Sequence, residues 1–298
     1  MLKKSDYYKF NPIQLNSELL NIIELLDHLP DIKLAYWPNN FQNEVLNYGR
    51  KIFINNKLRL YKIPFVRYDE IEYYSTLNEM DNGDINSLLK IIDNRVEYLH
   101  PFDIPVIFED CDNMEYGCFR PIYIGEDSKQ IKKLVFAEYI ITNKLTGLTP
   151  GIYAHEIVHS QLENMNAIEN YSNYEVLTVF FDKLTSFELD PTGNVLRNNE
   201  LLRLKKLREA LILLQNKNID SFNKINLSMA VISLLKAENL FSMYFDGSVL
   251  DKKSLMYDIG KVFRGITSLD KMLEQNNITL DNSQNSKIIM KRLNMFDK

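Results

Sequence analysis

The sequence predicts a mostly helical protein with one small β-sheet, an α+β fold in which the sheet directly precedes a central helix. Apolar residues recur every three to four positions through most of the first hundred residues and again after Thr149. Between these helical regions lie short segments rich in β-branched and aromatic residues. With 298 residues, 45% of them hydrophobic, the chain is long enough to bury a large core.

Helical spacing is found in three N-terminal segments. They are IQLNSELLNIIELLDHL (13–29), FQNEVLNYGRKIFI (41–54) and DINSLLKIIDNRVEYLH (84–100). The first segment stops at Pro30, which cannot continue a helix. His28 and His100 each fall at the end of such a segment, where a histidine suits the helix dipole, so we expect neither to bind a metal.

The strand-like segments follow. They are IPVIFED (104–110), CFRPIYIG (118–125) and KLVFAEYIIT (133–142), each short and bounded by turn residues. They predict three strands of a small sheet. The change of composition near residue 102 divides the chain into a predicted N-terminal helical region, 1–102, and a second region, 103–298.

Charge and hydropathy argue against two classes of partner. The formal net charge is −5, and the basic segment RLKKLR (203–208) lies in an apolar-periodic stretch, which indicates the solvated face of a helix. We therefore expect no nucleic-acid partner. The chain has neither eighteen consecutive apolar residues nor a signal-peptide core at its start, so we expect no membrane partner and a cytoplasmic location. No feature predicts the oligomeric state.

The segment LTPGIYAHEIVHSQL (148–162) carries an H-E-x-x-H motif. Thr149 is suited to cap a helix and Pro150 to lie in its first turn, so the motif is predicted to be helical. His155 and His159 then lie one turn apart on the same face, where two imidazoles can bind one zinc ion. Glu156 follows the first histidine and can act as general base toward a water molecule.

The alternative is that the two histidines are incidental to an ordinary helix. Ala154, Ile157 and Val158 already supply an apolar stripe toward the core. Because the core needs neither histidine, we favour the zinc interpretation.

A zinc peptidase needs a third protein ligand beside an open position. The segment SQLENMNAIE (160–169) contains no histidine, so a third histidine close to the motif is excluded. The remaining candidates are the glutamates that follow the motif: Glu163, Glu169, Glu175 and Glu188. Glu163 lies on the same helix and cannot reach back to the metal, and Glu169 lies in a polar connector.

Glu175 opens the run YEVLTVFFDKLTSFELD (174–190), which is predicted to be a second helix antiparallel to the first. It is preferred over Glu188 as the third ligand. However, Ser172 and Glu175 also fit the S-x-x-E pattern of a capping box, in which the glutamate only closes the helix start. Position alone does not decide between cap and ligand.

From His155 onward the chain resembles the thimet oligopeptidase and oligoendopeptidase F family of zinc peptidases, which are gluzincins. The stretch from Glu175 through Thr178 and Phe180 to Asp182 is similar to the family's pattern E-x-x-S/T-x-F-x-E. This resemblance implies that Glu175 is the third ligand, with Thr178 and Asp182 close to it. It also implies a zincin-like catalytic region over 103–298.

Two further segments, AVISLLKAENLFSMYFDG (230–247) and SLDKMLEQNNITL (268–280), are similar to the family's C-terminal helix and closing segment. The chain departs from the family in being shorter and in having Val158 where glycine is frequent. The family's oxyanion-stabilising histidine and tyrosines are also missing from FNKINLSMA (222–230). Tyr244 is the candidate replacement, with Tyr171 and Tyr174 behind it.

These observations predict a zinc-dependent metallopeptidase with one Zn²⁺ per chain and a peptide as substrate. We expect Glu156 to be the general base. We also expect the segment VFAEYIIT (135–142) to be an exposed sheet edge that pairs with the substrate. The alternative is that this segment is an ordinary buried strand. A non-catalytic protein that binds zinc and peptide, and a protease dedicated to one leader peptide, are the alternative functions.

Overall fold

The computed structural model describes residues 10–31, 42–65, 97–104, 106–109, 117–123, 135–143, 149–165, 169–190, 194–245, 252–280 and 282–294. Helices make up most of these residues, which confirms the prediction of a mostly helical protein. The helices are α1 (Ser17–Leu25), α2 (Gln42–Asn55), α3 (Thr149–Met165), α4 (Tyr174–Leu189), α5 (Asn194–Leu214), α6 (Ser221–Phe245), α7 (Lys252–Phe263), α8 (Leu269–Gln275) and α9 (Asn282–Leu293).

One sheet is built from β1 (Ile63–Phe65), β2 (Glu97–Leu99), β3 (Val106–Glu109), β4 (Gly117–Tyr123) and β5 (Val135–Asn143). β4 runs antiparallel to β5, while β1 and β3 pair in parallel with successive parts of β5. β2 extends the sheet beyond β1 as an antiparallel neighbour. The three strands predicted between residues 104 and 142 are present as β3, β4 and β5.

Two predictions about this sheet are wrong. β5 was predicted to be a free edge, but it pairs along its length with β4 and on its opposite side with β1 and β3. The end of the helix predicted over 84–100 is strand β2, because the register Ile63 to Leu99 gives it backbone partners in β1. Residues 84–96 of that predicted helix lie outside the described residues.

The central helix is α3, which begins at Thr149 with Pro150 in its first turn. All residues from 150 to 162 are buried, and Ile157 and Val158 face the core as predicted. The buried amide of Gln161 ties this helix to the segment just before β1, because it accepts from the backbone N–H of Tyr61 at 2.7 Å and donates to its carbonyl at 3.2 Å. The polar groups of α3 must therefore find their partners within the protein.

The hydrophobic core includes residues from both sides of residue 102. Phe53 of α2 stacks on Phe181 of α4 at 5.0 Å between ring centroids, and both side chains are fully buried. Leu19 and Ile22 of α1 belong to the same cluster. The two regions predicted from composition thus share a core and a sheet.

No helix in the described ranges is long and apolar enough to span a lipid bilayer.

A buried ion cluster joins α4, α5 and α6. Lys183 is completely buried, and its ammonium donates to Glu200 at 2.9 Å and to Glu238. Burial raises the pKa of the Glu238 carboxyl, and the charge of Glu200 raises it further, against the opposing effects of Lys183 and Arg292. The Lys183 ammonium thus favours the ionised form of Glu238 against burial and the charge of Glu200.

We predict that Lys183→Met is much more destabilising than Glu238→Gln. Removing the ammonium leaves two buried carboxylates without their shared cation, which lowers the free energy of unfolding by about 3–5 kcal/mol. Glutamine at position 238 still accepts a hydrogen bond from Lys183, so the loss is about 1 kcal/mol. Urea denaturation of the two variants measures the difference, and equal losses would contradict this account of the cluster.

Candidate metal centre

Three side chains from α3 and α4 converge on one point. The Nε2 atoms of His155 and His159 are 3.0 Å apart. The Glu175 carboxylate lies 3.3 Å from Nε2 of His155 through Oε2 and 3.4 Å from Nε2 of His159 through Oε1. The ligand atoms of all three residues lie within 4.8 Å of one another. The structure thus brings together the three residues that the sequence predicted as metal ligands.

Local geometry explains this convergence. Residues four apart on a helix share a face, so His155 and His159 present their rings side by side, with centroids 4.7 Å apart. The chain then passes through a short 3₁₀ turn, Tyr171–Asn173, directly into α4. α4 packs against α3, and Glu175 lies in its first turn, opposite the two rings.

The arrangement fits a zinc ion. Zinc bonds of about 2.0–2.2 Å in tetrahedral geometry place neighbouring ligand atoms about 3.3–3.6 Å apart. The two Nε2 atoms are 3.0 Å apart and lie 3.3 and 3.4 Å from different oxygens of the Glu175 carboxylate. These separations are close to the tetrahedral values, so the three side chains are spaced closely enough to hold one ion and would leave a further position open. Two imidazoles and one carboxylate are also a ligand set that zinc accepts in catalytic sites.

The capping-box alternative for Glu175 is wrong. The residue that caps α4 is Asn173, and its side chain makes no capping hydrogen bond. The Glu175 carboxylate instead faces the histidines and accepts from Thr178 Oγ1 at 3.1 Å. Burial raises the pKa of this carboxyl, but the neighbouring His159, His155 and Arg203 outweigh burial and hold the pKa well below its usual range. Glu175 is therefore ionised, as a metal ligand must be.

Glu156 lies next to the ligands in a water-poor setting. It follows His155 on α3 and is buried. Burial by itself lowers the pKa of the Arg203 guanidinium, but the Asp182 carboxylate, followed by Glu175 and Glu156, raises it. The ammonium of Lys206 acts on the same three carboxylates. Three carboxylates against these two cations leave an excess of one negative charge beside the imidazoles, which favours a bound cation.

The alternative ligand and the predicted oxyanion group lie elsewhere. Glu188 is exposed at the far end of α4, thirteen residues or roughly 20 Å along the helix from Glu175. Tyr244 packs edge-on against Phe180 with centroids 5.6 Å apart, and burial followed by the charge of Glu188 raises the pKa of its hydroxyl. The structure therefore does not bring Tyr244 to the ligand cluster, because α6 carries it to the Glu188 end of α4.

Tyrosines of the 3₁₀ turn and of α4 support the second histidine instead. The Tyr174 ring stacks on His159 at 4.7 Å and 29°, and Tyr171 stacks on Tyr174 at 5.8 Å and 17°. Nδ1 of His159 has no hydrogen-bond partner among the described residues. Ring packing by Tyr174 thus helps to orient this ligand.

Sequence reasoning missed Arg203 and Asn199. The segment 203–208 was predicted to be a solvated face, yet Arg203 is only 7% exposed. Its Nη2 donates to Asp182 and lies 3.4 Å from Nδ1 of His155, while Asn199 donates to the other Asp182 oxygen at 2.6 Å. The available signal was that Asn199 and Arg203, four residues apart, share a helix face with the apolar Leu196 and Leu207, which face the core.

Gly151 allows the helices to approach closely at this point. A Cβ atom there would collide with the Asp182 carboxylate and would lie 2.9 Å from both the Asp182 carbonyl oxygen and Ser186 Oγ. Glycine is therefore required for α4 to bring Asp182 against the first turn of α3.

Comparison of this chain with protein-family models, with curated proteins and with solved structures finds no match. A metal centre is therefore inferred from the geometry and charge of His155, His159 and Glu175 alone.

We predict that Tyr174→Ala weakens zinc binding whereas Tyr174→Phe does not. Alanine removes the ring that orients His159, and loss of such a supporting group costs about 10–100-fold in metal affinity. Phenylalanine keeps the stacked ring. Competition with a chromophoric chelator measures the zinc affinity of both variants. If both bind zinc equally weakly, the Tyr174 hydroxyl rather than its ring supports His159.

Proposed function

We propose that this protein is a zinc-dependent metallopeptidase that hydrolyses peptide bonds. The observation that carries the proposal is the convergence of His155, His159 and Glu175, with Glu156 directly beside them on a buried helix. The two imidazoles and the carboxylate would hold one zinc ion per chain and leave a position open for reactants.

Zinc bound there supplies a water molecule of lowered pKa and polarises a carbonyl group. Glu156 is the residue that moves the proton. Its carboxylate accepts a proton from the attacking water and then delivers it to the amine that leaves. Burial of α3 limits access of bulk water to this carboxylate, which keeps the transferred proton at the reacting groups.

The sheet offers a place for an extended peptide, on a strand other than the one expected. β5 is interior, whereas β4, in the described ranges, has a backbone partner only along its β5 side. β4 also packs against α3, the helix of the candidate ligands. A substrate that added to the sheet as a further strand would therefore pair with β4, and its backbone hydrogen bonds would supply much of the affinity.

The competing function is a non-catalytic protein that binds zinc and peptide. The observation in its favour is that residues 222–230 contain neither histidine nor tyrosine, and that Tyr244 lies away from the ligands. Glu156 favours hydrolysis, because a site that only binds zinc has no need of a buried carboxylate next to the first ligand.

Cleavage of a quenched fluorescent peptide library by the purified protein tests this function. We predict that Glu156→Gln lowers the cleavage rate by about 10²–10⁴-fold, because the proton acceptor is lost, while zinc binding is retained. Glu188→Gln is the matched control and should cleave like the wild type. Zinc-loaded wild type that cleaves no peptide would support the non-catalytic alternative, and wild type without affinity for zinc would exclude both.

A further inference from the structure

Three aromatic rings lie in a row that ends at the candidate metal centre. The ring centroid of Tyr174 lies 4.7 Å from that of His159, with 29° between the ring planes. The centroid of Tyr171 lies 5.8 Å from that of Tyr174, with 17° between the planes. Both geometries are stacked. Tyr171 and Tyr174 therefore form a tyrosine pair whose inner member touches a candidate zinc ligand.

The local backbone accounts for this pair. Residues Tyr171–Asn173 form a 3₁₀ turn, and α4 begins directly after it at Tyr174. A 3₁₀ helix has three residues per turn, so side chains three positions apart eclipse one another. Tyr171 and Tyr174 are three positions apart, so the turn itself places one ring beside the other.

Polar contacts from two other helices hold the turn. Asp270 of α8 accepts from the backbone N–H groups of Glu169 at 2.8 Å and Asn170 at 2.9 Å. It also accepts from the side chain of Asn173, whose oxygen accepts a hydrogen bond from Lys236 of α6 at 2.8 Å. The tyrosine pair is therefore carried on a fixed backbone, so little conformational entropy is lost when a ligand packs against it.

The candidate centre is accessible on the side of the tyrosine pair. The side chain of Glu175 is 37% exposed, whereas those of His155 and His159 are 10% and 11% exposed. Tyr174 directly precedes Glu175 in the chain, and both Tyr171 and Tyr174 are partly exposed. A molecule that approaches the candidate ligands from this side therefore meets the tyrosine pair.

We propose that the tyrosine pair is a subsite that selects peptides with an aromatic side chain close to the bond that is cut. Stacking of that side chain on the pair adds affinity beyond the apolar area that it covers. The pair extends about two ring spacings from His159, a distance that an extended peptide covers in about three residues, at roughly 3.3 Å each. The selected side chain thus lies within about three residues of the scissile bond. This inference rests on the proposed function in taking a peptide as the ligand.

Peptide binding by zinc-loaded, full-length Glu156→Gln protein tests the subsite without cleavage of the probe. The probes are two fluorescein-labelled peptide pools, randomised with non-aromatic residues around one central position, which is phenylalanine in one pool and cyclohexylalanine in the other. These side chains are close in size and apolarity, but only the phenyl ring can stack. Fluorescence anisotropy should show about 3–10-fold tighter binding of the phenylalanine pool. Equal affinity for the two pools would overturn the proposal.

Substitutions of Tyr171 in the same protein test whether the pair causes this preference. Tyr171→Leu should abolish the preference, because leucine keeps an apolar side chain but cannot stack, whereas Tyr171→Phe should retain it. Tyr257→Leu is the matched control, since the Tyr257 ring is exposed on α7 and lies against Lys261. All three variants should bind zinc within about threefold of the parent protein, because Tyr174 still packs on His159.

The outcomes separate this proposal from the proposed function. A preference that survives Tyr171→Leu, or that is lost together with zinc affinity in this variant, would overturn the subsite. Zinc-loaded wild type that cleaves peptides, combined with equal affinity for the two pools, would overturn the subsite and leave the proposed function intact. Tighter binding of the phenylalanine pool, combined with a zinc-loaded wild type that cleaves no peptide, would support the subsite and contradict the peptidase.

Discussion

Two adjacent charged residues, Asp182 and Lys183, determine how α4 packs against its neighbours. Both side chains are completely buried, and they bond different residues: Asp182 with Asn199 and Arg203, Lys183 with Glu200 and Glu238. An unpaired charge in a protein core is costly, so neither residue tolerates a shift of the helix along its axis. The register of α4 against α5 and α6 is therefore fixed by charge pairing as well as by apolar packing.

This register is what places the third candidate ligand. Glu175 lies seven residues before Asp182, about two helical turns away on the same face of α4. Once Asp182 is locked against Gly151 and Arg203, Glu175 must lie beside His155 and His159. The candidate metal centre is thus the outer end of a buried polar network that continues through Arg203 to Asp182.

Features encoded by local spacing could be predicted from the sequence. A four-residue spacing is enough to place His155 and His159 on one helix face, and β-branched segments between turn residues are enough to indicate β3, β4 and β5. Glu175 could be ranked first because it opens the next helix. These inferences need no knowledge of which distant segments touch, since each depends on residues within one or two turns.

Features that depend on distant pairing could not be predicted. Arg203 shares a helix face with the buried Leu207, but its partner Asp182 lies on another helix, so the sequence does not show which group its guanidinium would pair with. Likewise, strand β2 forms because β1 lies beside it, and β5 is interior because strands separated in sequence cover both its sides. Tyr244 was one of seventeen tyrosines, and nothing local to it indicated which end of α4 it would reach.

The most direct test of the account is the zinc content of purified wild type, His155→Ala, Glu175→Ala and the control Glu188→Ala, measured together by elemental analysis. The account predicts about one zinc ion per chain in the wild type and in Glu188→Ala, and loss of zinc from the other two, because only those variants remove a ligand atom. A Glu175→Ala protein that retains zinc while Glu188→Ala loses it would contradict the assignment of Glu175 as the third ligand. The absence of zinc from all four proteins after reconstitution would contradict the metal centre itself.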